Sequence, residues 1–139
     1  MTGSGSVAPP STGPPGVVRA PVSTPGALAD PAPSLTQLCT AGYTATVRPP
    51  VAYTTDLKRR QIAELGYSNR ALSAYEEDHL VPLELGGAPR DPKNLWPEPI
   101  DSARVKDREE GALHVAVCTH RLSLAEAQQR ILADWGPAK

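Results

Sequence analysis

The proline content of the first 33 residues is the feature that most restricts how this 139-residue chain can fold. The segment holds half of the 16 prolines together with several Gly, Ser and Thr residues, and Arg19 and Asp30 are its only charges. Such a composition buries too little apolar surface to offset the loss of chain entropy. We therefore predict a disordered Pro/Gly/Ser-rich linker over 1-33, or alternatively a Pro-rich ligand for a partner domain, followed by one folded domain over 34-139.

The charge balance limits how this chain could bind nucleic acid. Its formal net charge is -1, so attraction to phosphate must come from a local basic patch and not from the whole molecule. The densest positive charge is Lys58-Arg59-Arg60, which is either a solvated helix face or a phosphate contact. No apolar run of about 18 residues occurs, which predicts that there is no membrane span. The N-terminus also lacks the pattern of a signal peptide.

The two cysteines, Cys39 and Cys118, are far apart in the sequence and neither belongs to a CxxC pair. A structural zinc knuckle is therefore not expected. The pair is either a disulfide or two small buried thiols, and we favour the intrachain Cys39-Cys118 disulfide. A disulfide would indicate a secreted or extracytoplasmic location, whereas the missing export signal argues against one, so the compartment stays open.

The patterning of apolar residues predicts an α+β fold whose core is a hairpin followed by a helix, with an additional N-terminal strand and helix and a C-terminal helix. Residues 43–47 alternate β-branched and aromatic residues with small ones, which predicts the N-terminal strand. The hairpin is predicted from strands at 80–85 and 94–96 around a Gly86-Gly87 turn. Helices are predicted from Thr54 or Thr55 to Leu65, from Asp101 or Ser102 to Cys118, and from a capping box of Ser123 and Glu126 to Gly136.

The chemistry of the chain centres on Asp78-His79 at the start of the predicted hairpin and on Asn94 at its end. The signature of HNH (ββα-metal, His-Me finger) endonucleases resembles the run Asp78-His79-Leu80-Val81-Pro82-Leu83, followed by Gly86-Gly87 and Asn94-Leu95. More narrowly, residues 43–135 are similar to small actinobacterial HNH-like proteins that share a DHLVPLELGG motif. The resemblance implies an HNH-like nuclease domain over 34-139, built on a ββα-metal core.

This resemblance implies a metal-dependent endonuclease that hydrolyses phosphodiester bonds in DNA, with His79 and Asn94 as catalytic residues. In that family the Asn at the position of Asn94 holds the loop that bears the catalytic His, so Asn94 is assigned to orientation. Deprotonating water near neutral pH suits an imidazole with a pKa of about 6.5, and His79 is the predicted general base. A further ligand of the family pattern falls at position 103, where Ala103 cannot bind a metal.

A divalent cation is expected beside His79, because it would stabilise charge on the scissile phosphate and on the leaving oxygen. Asp78 is its neighbour in sequence, and Asp107 and Glu110 are three residues apart on one face of the predicted helix. These three carboxylates are the predicted metal ligands. Oxygen ligands suit Mg²⁺ or Mn²⁺ better than Zn²⁺.

Three basic residues are candidates for binding the substrate phosphate. They are Lys106, Lys58 and Arg59, although Lys106 could instead pair with Glu110 at i, i+4. We expect DNA as the partner and a monomeric protein. Two alternatives stay open: a degenerate HNH-fold binding module without catalytic activity, which Ala103 favours, and a secreted toxin whose nuclease domain follows a Pro-rich stalk.

Overall fold

The protein has an α+β architecture over residues 16–139, the part that this computed structural model describes, and the predicted class is confirmed. The strands of its antiparallel pair are β1 (Tyr75–His79) and β2 (Leu95–Pro99). The α-helices are α1 (Leu35–Leu38), α2 (Tyr43–Val47), α3 (Val51–Leu65), α4 (Ile100–Cys118) and α5 (Leu124–Trp135), and single 3-10 turns lie at Leu72–Ala74, Leu83–Leu85 and Pro92–Asn94. None of the helices in this range combines the length and the apolar character that a membrane span requires.

The two strands form a hairpin that leads directly into α4. They pair from Tyr75 opposite Pro99 to His79 opposite Leu95, and α4 begins at the residue after β2. The return strand predicted over 94–96 is thus present with shifted bounds. A hairpin followed by a helix is present as predicted, but its first strand is β1, which was not predicted, and this arrangement brings the end of β1 close to α4.

The strand predicted over 80–85 is wrong. β1 ends at His79, and the apolar residues that follow enter the core, where Leu80 is fully buried. Leu83–Leu85 forms a single 3-10 turn, which Gly86 closes in the left-handed conformation with φ 84°. A short apolar run occurs in buried strands, helices and turns alike, so periodicity alone could not show which of these residues 80–85 form.

The strand predicted over 43–47 is also wrong, because these residues form α2. Gly42 precedes them with φ 88°, a left-handed conformation that glycine adopts without steric cost. Strand propensity depends strongly on context, so the local turn overrides it here. The helix predicted up to Leu65 is confirmed as α3, although it begins earlier, at Val51, and Gly66 ends it in the left-handed conformation.

The hydrophobic core joins α4 and α5 to the chain that follows β1. Trp96 and Trp135 are its largest side chains and are 0% and 1% exposed. The predicted capping box at the start of α5 is confirmed, because Ser123 Oγ accepts a hydrogen bond from the Glu126 N–H at 3.1 Å and the Glu126 carboxylate accepts from the Ser123 N–H at 3.3 Å. The other buried members of this core are Val17, Ala20, Leu80, Val81, Leu85, Leu113, Val117, Ala127 and Ile131.

Residues 16–33 pack against the domain, although the sequence predicts a linker up to residue 33. Val17 is fully buried in the core, and the Ala20 N–H donates to the Trp135 carbonyl at 2.8 Å. A few apolar side chains and paired backbone groups therefore outweigh the linker-like composition of this stretch. The rest of the predicted linker, residues 1–15, lies outside the described residues.

The same N-terminal segment also contacts the loop between β1 and β2. The Gly26 N–H donates to the Lys93 carbonyl at 2.9 Å, and the Ala27 N–H donates to Asn94 Oδ1 at 3.3 Å. Buried backbone groups of this kind are costly to leave unpaired. The loop is therefore held on one side by the N-terminal segment.

The predicted disulfide between Cys39 and Cys118 is present, with the two sulfur atoms bonded at 2.05 Å. Cys39 directly follows α1, and Cys118 is the last residue of α4. The cross-link therefore fastens the first helices of the domain to the helix that follows the hairpin.

Replacing Gly87 with alanine is expected to destabilise the protein by roughly 1–3 kcal/mol or more, because overpacking a filled site forces shifts of the surrounding atoms. A Cβ at this position would lie 1.7 Å from the backbone carbonyl oxygen of Val81, which cannot move without breaking local structure. Urea denaturation of the wild-type and variant proteins would measure the difference.

Gly111→Ala is the matched control for this substitution. A Cβ at Gly111, in the middle of α4, meets nothing within 4 Å, so alanine should stabilise the protein by about 0.5–1 kcal/mol. Equal stability of the Gly87→Ala variant and the wild-type protein would contradict the packing described here.

Candidate active site

An acidic cavity of about 270 Å³ lies beside β1 and the first turns of α4. It brings together four of the residues that the sequence predicts for catalysis and metal binding, Asp78, His79, Asp107 and Glu110. The charged and titratable residues that line it are Arg48, Glu76, Glu77, Asp78, His79, Glu84, Asp107 and Glu110.

His79 is held in one orientation at the end of β1. Its Nε2 lies 2.9 Å from the carbonyl oxygen of Pro89, and the residue is 8% exposed. A carbonyl only accepts hydrogen bonds, so Nε2 must carry the proton and Nδ1 keeps its lone pair. Burial lowers the pKa of His79, while the Pro89 hydrogen bond and Asp78 oppose this shift. The imidazole is therefore neutral at pH 7 and has a basic nitrogen.

Asn94 positions the loop that orients His79. It is fully buried, and its Oδ1 accepts from the Val81 N–H at 2.9 Å, while its Nδ2 donates to the carbonyls of Val81 and Ala88, both at 3.0 Å. Ala88 precedes Pro89, whose carbonyl holds the His79 ring. Asn94 thus acts on His79 through the backbone and does not line the cavity.

Lys106 is a buried cation at the centre of the site. Its ammonium lies 2.9 Å from Asp78 Oδ2, 2.9 Å from the His79 carbonyl oxygen and 2.5 Å from Glu110 Oε2, and its side chain has no exposed surface. Burial alone would lower the pKa of Lys106, but Asp78 and Glu110 outweigh it and raise the pKa, so the ammonium stays charged.

This geometry corrects the predicted role of Lys106 and places Glu110 in an ion pair with it. Lys106 is not available to contact a substrate phosphate, because it is fully buried, and the alternative pairing with Glu110 at i, i+4 is the one observed. Glu110 Oε2 contacts Lys106, as Asp78 Oδ2 does, so both carboxylates share this buried cation. Ala103 is 2% exposed and contributes to packing in the first turns of α4.

Asp107 is the predicted metal ligand outside the ion-pair network of Lys106, and Glu76 joins it, whereas Asp78 would have to share its carboxylate between Lys106 and a metal. Burial and the charge of Asp78 raise the pKa of Asp107, and burial followed by the charges of Asp78 and Asp107 raises the pKa of Glu76. A divalent cation would relieve this repulsion, and oxygen donors suit Mg²⁺ or Mn²⁺. No three carboxylates of residues 16–139 have ligand atoms within 4.8 Å of one another, so a cation here would keep several waters, as Mg²⁺ commonly does.

The sequence reasoning missed Glu76 and Arg48. Glu76 could have been found from strand alternation, because it lies two residues before Asp78 and so on the same side of β1. Arg48 lines the cavity from the end of α2, where a strand was predicted, and no sequence signal indicated it. Arg48 lowers the pKa of both Glu76 and His79, which shows that its charge acts within the site.

The other two predicted phosphate contacts lie outside this cavity. Lys58 donates to the backbone carbonyl of Tyr75 at 3.0 Å and therefore supports the start of β1. Arg59 is exposed on α3 and lies 3.7 Å from the carboxylate of Asp56. Arg59 and Arg60 thus pair with a neighbouring carboxylate on an exposed face of α3, as a solvated helix face would, and a phosphate contact by this basic run stays a prediction.

Glu98 is a buried acid behind the site, and it should make the stability of the protein depend on pH. It has no exposed surface, its Oε2 accepts from Ser102 Oγ at 2.5 Å, and burial together with Asp78 raises its pKa to about 10. The native state then keeps a proton that the unfolded chain releases near its ordinary pKa of about 4.3. The stability that this group contributes is therefore present below that value and is lost as the pH rises towards 10.

We expect the free energy of unfolding of the wild-type protein to fall as the pH rises from 5 to 9, and Glu98→Gln to make this dependence less steep. Glutamine keeps the shape of the protonated acid but cannot ionise. Urea titrations at several pH values would measure both slopes, with Glu64→Gln on the exposed face of α3 as the control. A slope unchanged in Glu98→Gln would contradict the protonated state assigned to Glu98.

Comparisons of the chain with protein-family models, with curated proteins and with solved structures found no match.

Proposed function

We propose that the protein is a metal-dependent endonuclease of the HNH type that hydrolyses phosphodiester bonds in DNA. The observation that carries the proposal is the orientation of His79, whose Nε2 is bonded to the Pro89 carbonyl so that Nδ1 keeps a lone pair. His79 lines the same cavity as the carboxylate residues Asp78, near the end of β1, and Asp107, on α4. This is the combination of base and oxygen ligands that hydrolysis of a phosphodiester needs.

The residues divide the chemical work among them. His79 takes a proton from the attacking water through Nδ1, while Asn94 and the Pro89 carbonyl keep its ring oriented. Asp78 and Asp107 would hold a divalent cation, which when bound supplies Lewis-acid stabilisation of the phosphate and of the leaving oxygen. Arg48 is the basic side chain that lines the cavity, and we assign it to binding the substrate phosphate.

The charge of the cavity makes activity depend on the metal. Six acidic side chains line it; burial raises the pKa of Glu77 and of Glu110 to about 8, and without a bound metal ion the charge of the other carboxylates repels an anionic phosphodiester. A cation held by Asp78 and Asp107 would reverse that sign where the phosphate must bind. Cleavage should therefore stop completely when the metal is removed by a chelator.

Nicking of supercoiled plasmid DNA in Mg²⁺ or Mn²⁺, with and without EDTA, tests the proposal. Asp107→Asn should reduce the rate by at least about tenfold, because an amide binds the cation more weakly than a carboxylate. Asp101→Asn is the matched control, since Asp101 lies on the same helix but is exposed and pairs with Arg104 at 3.5 Å. A pure wild-type protein that cuts neither DNA nor RNA in any divalent metal would refute the proposal.

A second candidate function is a degenerate HNH-fold module that binds a partner without hydrolysis. The observation that favours it is Lys106, whose ammonium already lies between the carboxylates of Asp78 and Glu110. Titration calorimetry separates the two functions. Uptake of Mg²⁺ or Mn²⁺ that disappears in Asp78→Asn and Asp107→Asn supports the nuclease, whereas the absence of any uptake favours the binding module.

A further inference from the structure

Three groups that bind soft metals meet where α1 joins the end of α4. Cys39 and Cys118 are bonded to each other, and His114 lies one turn before Cys118 on the same face of α4, with Nε2 3.6 Å from Cys118 Sγ. One ligand atom from each of the three residues lies within 4.8 Å of the other two. This cluster is separate from the acidic cavity of the candidate active site, whose lining includes none of its members.

We propose that reduction of the Cys39–Cys118 disulfide converts this cluster into a zinc site. A dithiol reductant transfers two electrons and two protons to the cystine, so that the S–S bond breaks, two thiols form and the reductant becomes a disulfide. Zn²⁺ then displaces the two thiol protons and binds two thiolates together with His114. A cystine sulfur carries no charge and binds zinc poorly, so the cross-linked and metal-bound states exclude each other.

The chemistry of the donors favours zinc over the cation proposed for the active site. Two thiolates and one imidazole are the borderline-soft ligands that zinc prefers, whereas Mg²⁺ and Mn²⁺ take oxygen ligands. His114 Nε2 lies 3.0 Å from the Leu38 carbonyl, to which it donates. On binding zinc, Nε2 would give up this hydrogen bond and the ring proton would move to Nδ1, so the imidazole stays neutral.

A fourth coordination position is available next to the cluster. A cavity of about 270 Å³ is lined by Cys39, His114 and Glu84, and Glu84 also lines the acidic cavity. Zinc sites are usually four-coordinate, and either a water or Glu84 would complete this one. Cys39 is exposed, so both the reductant and the metal can reach the cluster from solvent.

The test titrates zinc into the full chain before and after reduction by a phosphine, in competition with a chromogenic chelator. We expect reduction to add one zinc per chain to whatever the oxidised protein binds, and no such increase in the Cys39→Ser/Cys118→Ser double variant. His114→Ala should weaken zinc binding by at least about 10–100-fold. That is the usual loss when a residue that only hydrogen-bonds a metal ligand is removed, and removing a ligand itself should cost no less. His120→Ala is the matched control, because His120 lies two residues beyond Cys118 in an exposed turn.

Cobalt(II) in place of zinc adds a spectroscopic signature, because thiolate-to-cobalt absorption should appear in the reduced wild-type protein and not in the double variant. Circular dichroism follows the fold in the same samples. If reduction lowers the helical signal, one equivalent of zinc must restore it. Zinc binding that does not increase on reduction, equal affinity in His114→Ala, or a helical signal that zinc leaves unrestored would each overturn the proposal.

Discussion

Replacing His79 with alanine is expected to lower the rate of metal-dependent DNA cleavage by roughly 10²–10⁴-fold, the usual contribution of a positioned general base. The reason is that His79 lines the cavity and that Nδ1 is its basic nitrogen, since Nε2 is bonded to the Pro89 carbonyl. Initial rates of plasmid nicking at saturating Mn²⁺ would measure the loss.

A pH profile separates this role from a purely structural one. Because burial lowers the pKa of His79, the neutral ring should persist below pH 6.5, and the rate should fall only as the pH drops through the lowered pKa. His120→Ala is the control and should retain the wild-type rate. Cleavage by His79→Ala at the wild-type rate would remove His79 from the mechanism while leaving the fold unchallenged.

Lys106→Ala is expected to destabilise the protein by about 3–5 kcal/mol, the typical effect of removing one partner of a buried ion pair. The substitution would leave the carboxylates of Asp78 and Glu110 facing each other without a cation, in a place where Lys106 itself has no exposed surface. Such a loss is a large fraction of the stability of an ordinary domain. Urea denaturation near neutral pH would measure it.

Two further variants identify the cause of that loss. Lys93→Ala removes an exposed lysine and should change stability little. Lys106→Met keeps the alkyl chain and removes only the charge, so it should be nearly as destabilising as Lys106→Ala. If the methionine variant were as stable as the wild-type protein, packing and not charge would explain the role of Lys106.

The structure brings together those candidate residues whose proximity follows from strand pairing and from the helix that comes next. Asp78 and His79 end β1, whereas the sequence placed them before the first strand of the hairpin, and the pairing of β1 with β2 brings them close to Asn94, which lies just before β2. Asp107 follows because α4 begins directly after β2. The helix ends were also predictable where a local signal exists, as with Gly66 after α3 and the capping box of α5.

The features that the sequence could not reveal depend on contacts between distant segments. Nothing in the sequence around Lys106 distinguishes it from an exposed helix lysine, and its burial follows from contacts with Asp78, Glu110 and the His79 carbonyl. Arg48 reaches the cavity because residues 43–47 form a helix, whereas their composition favours a strand. Tertiary contacts of this kind override local propensity and have no signal in a short window of sequence.

The hydrogen bonds from residues 26 and 27 limit how far the chain can be shortened without changing the loop between β1 and β2. The linker predicted from composition ends at residue 33, so a shortened chain would start at residue 34. Such a chain leaves Asn94 without the Ala27 N–H and the Lys93 carbonyl without the Gly26 N–H. Asn94 sets the position of the loop that orients His79. Activity assays on such a fragment would therefore report on a protein in which the loop that orients His79 is altered, and a negative result would not describe the intact protein.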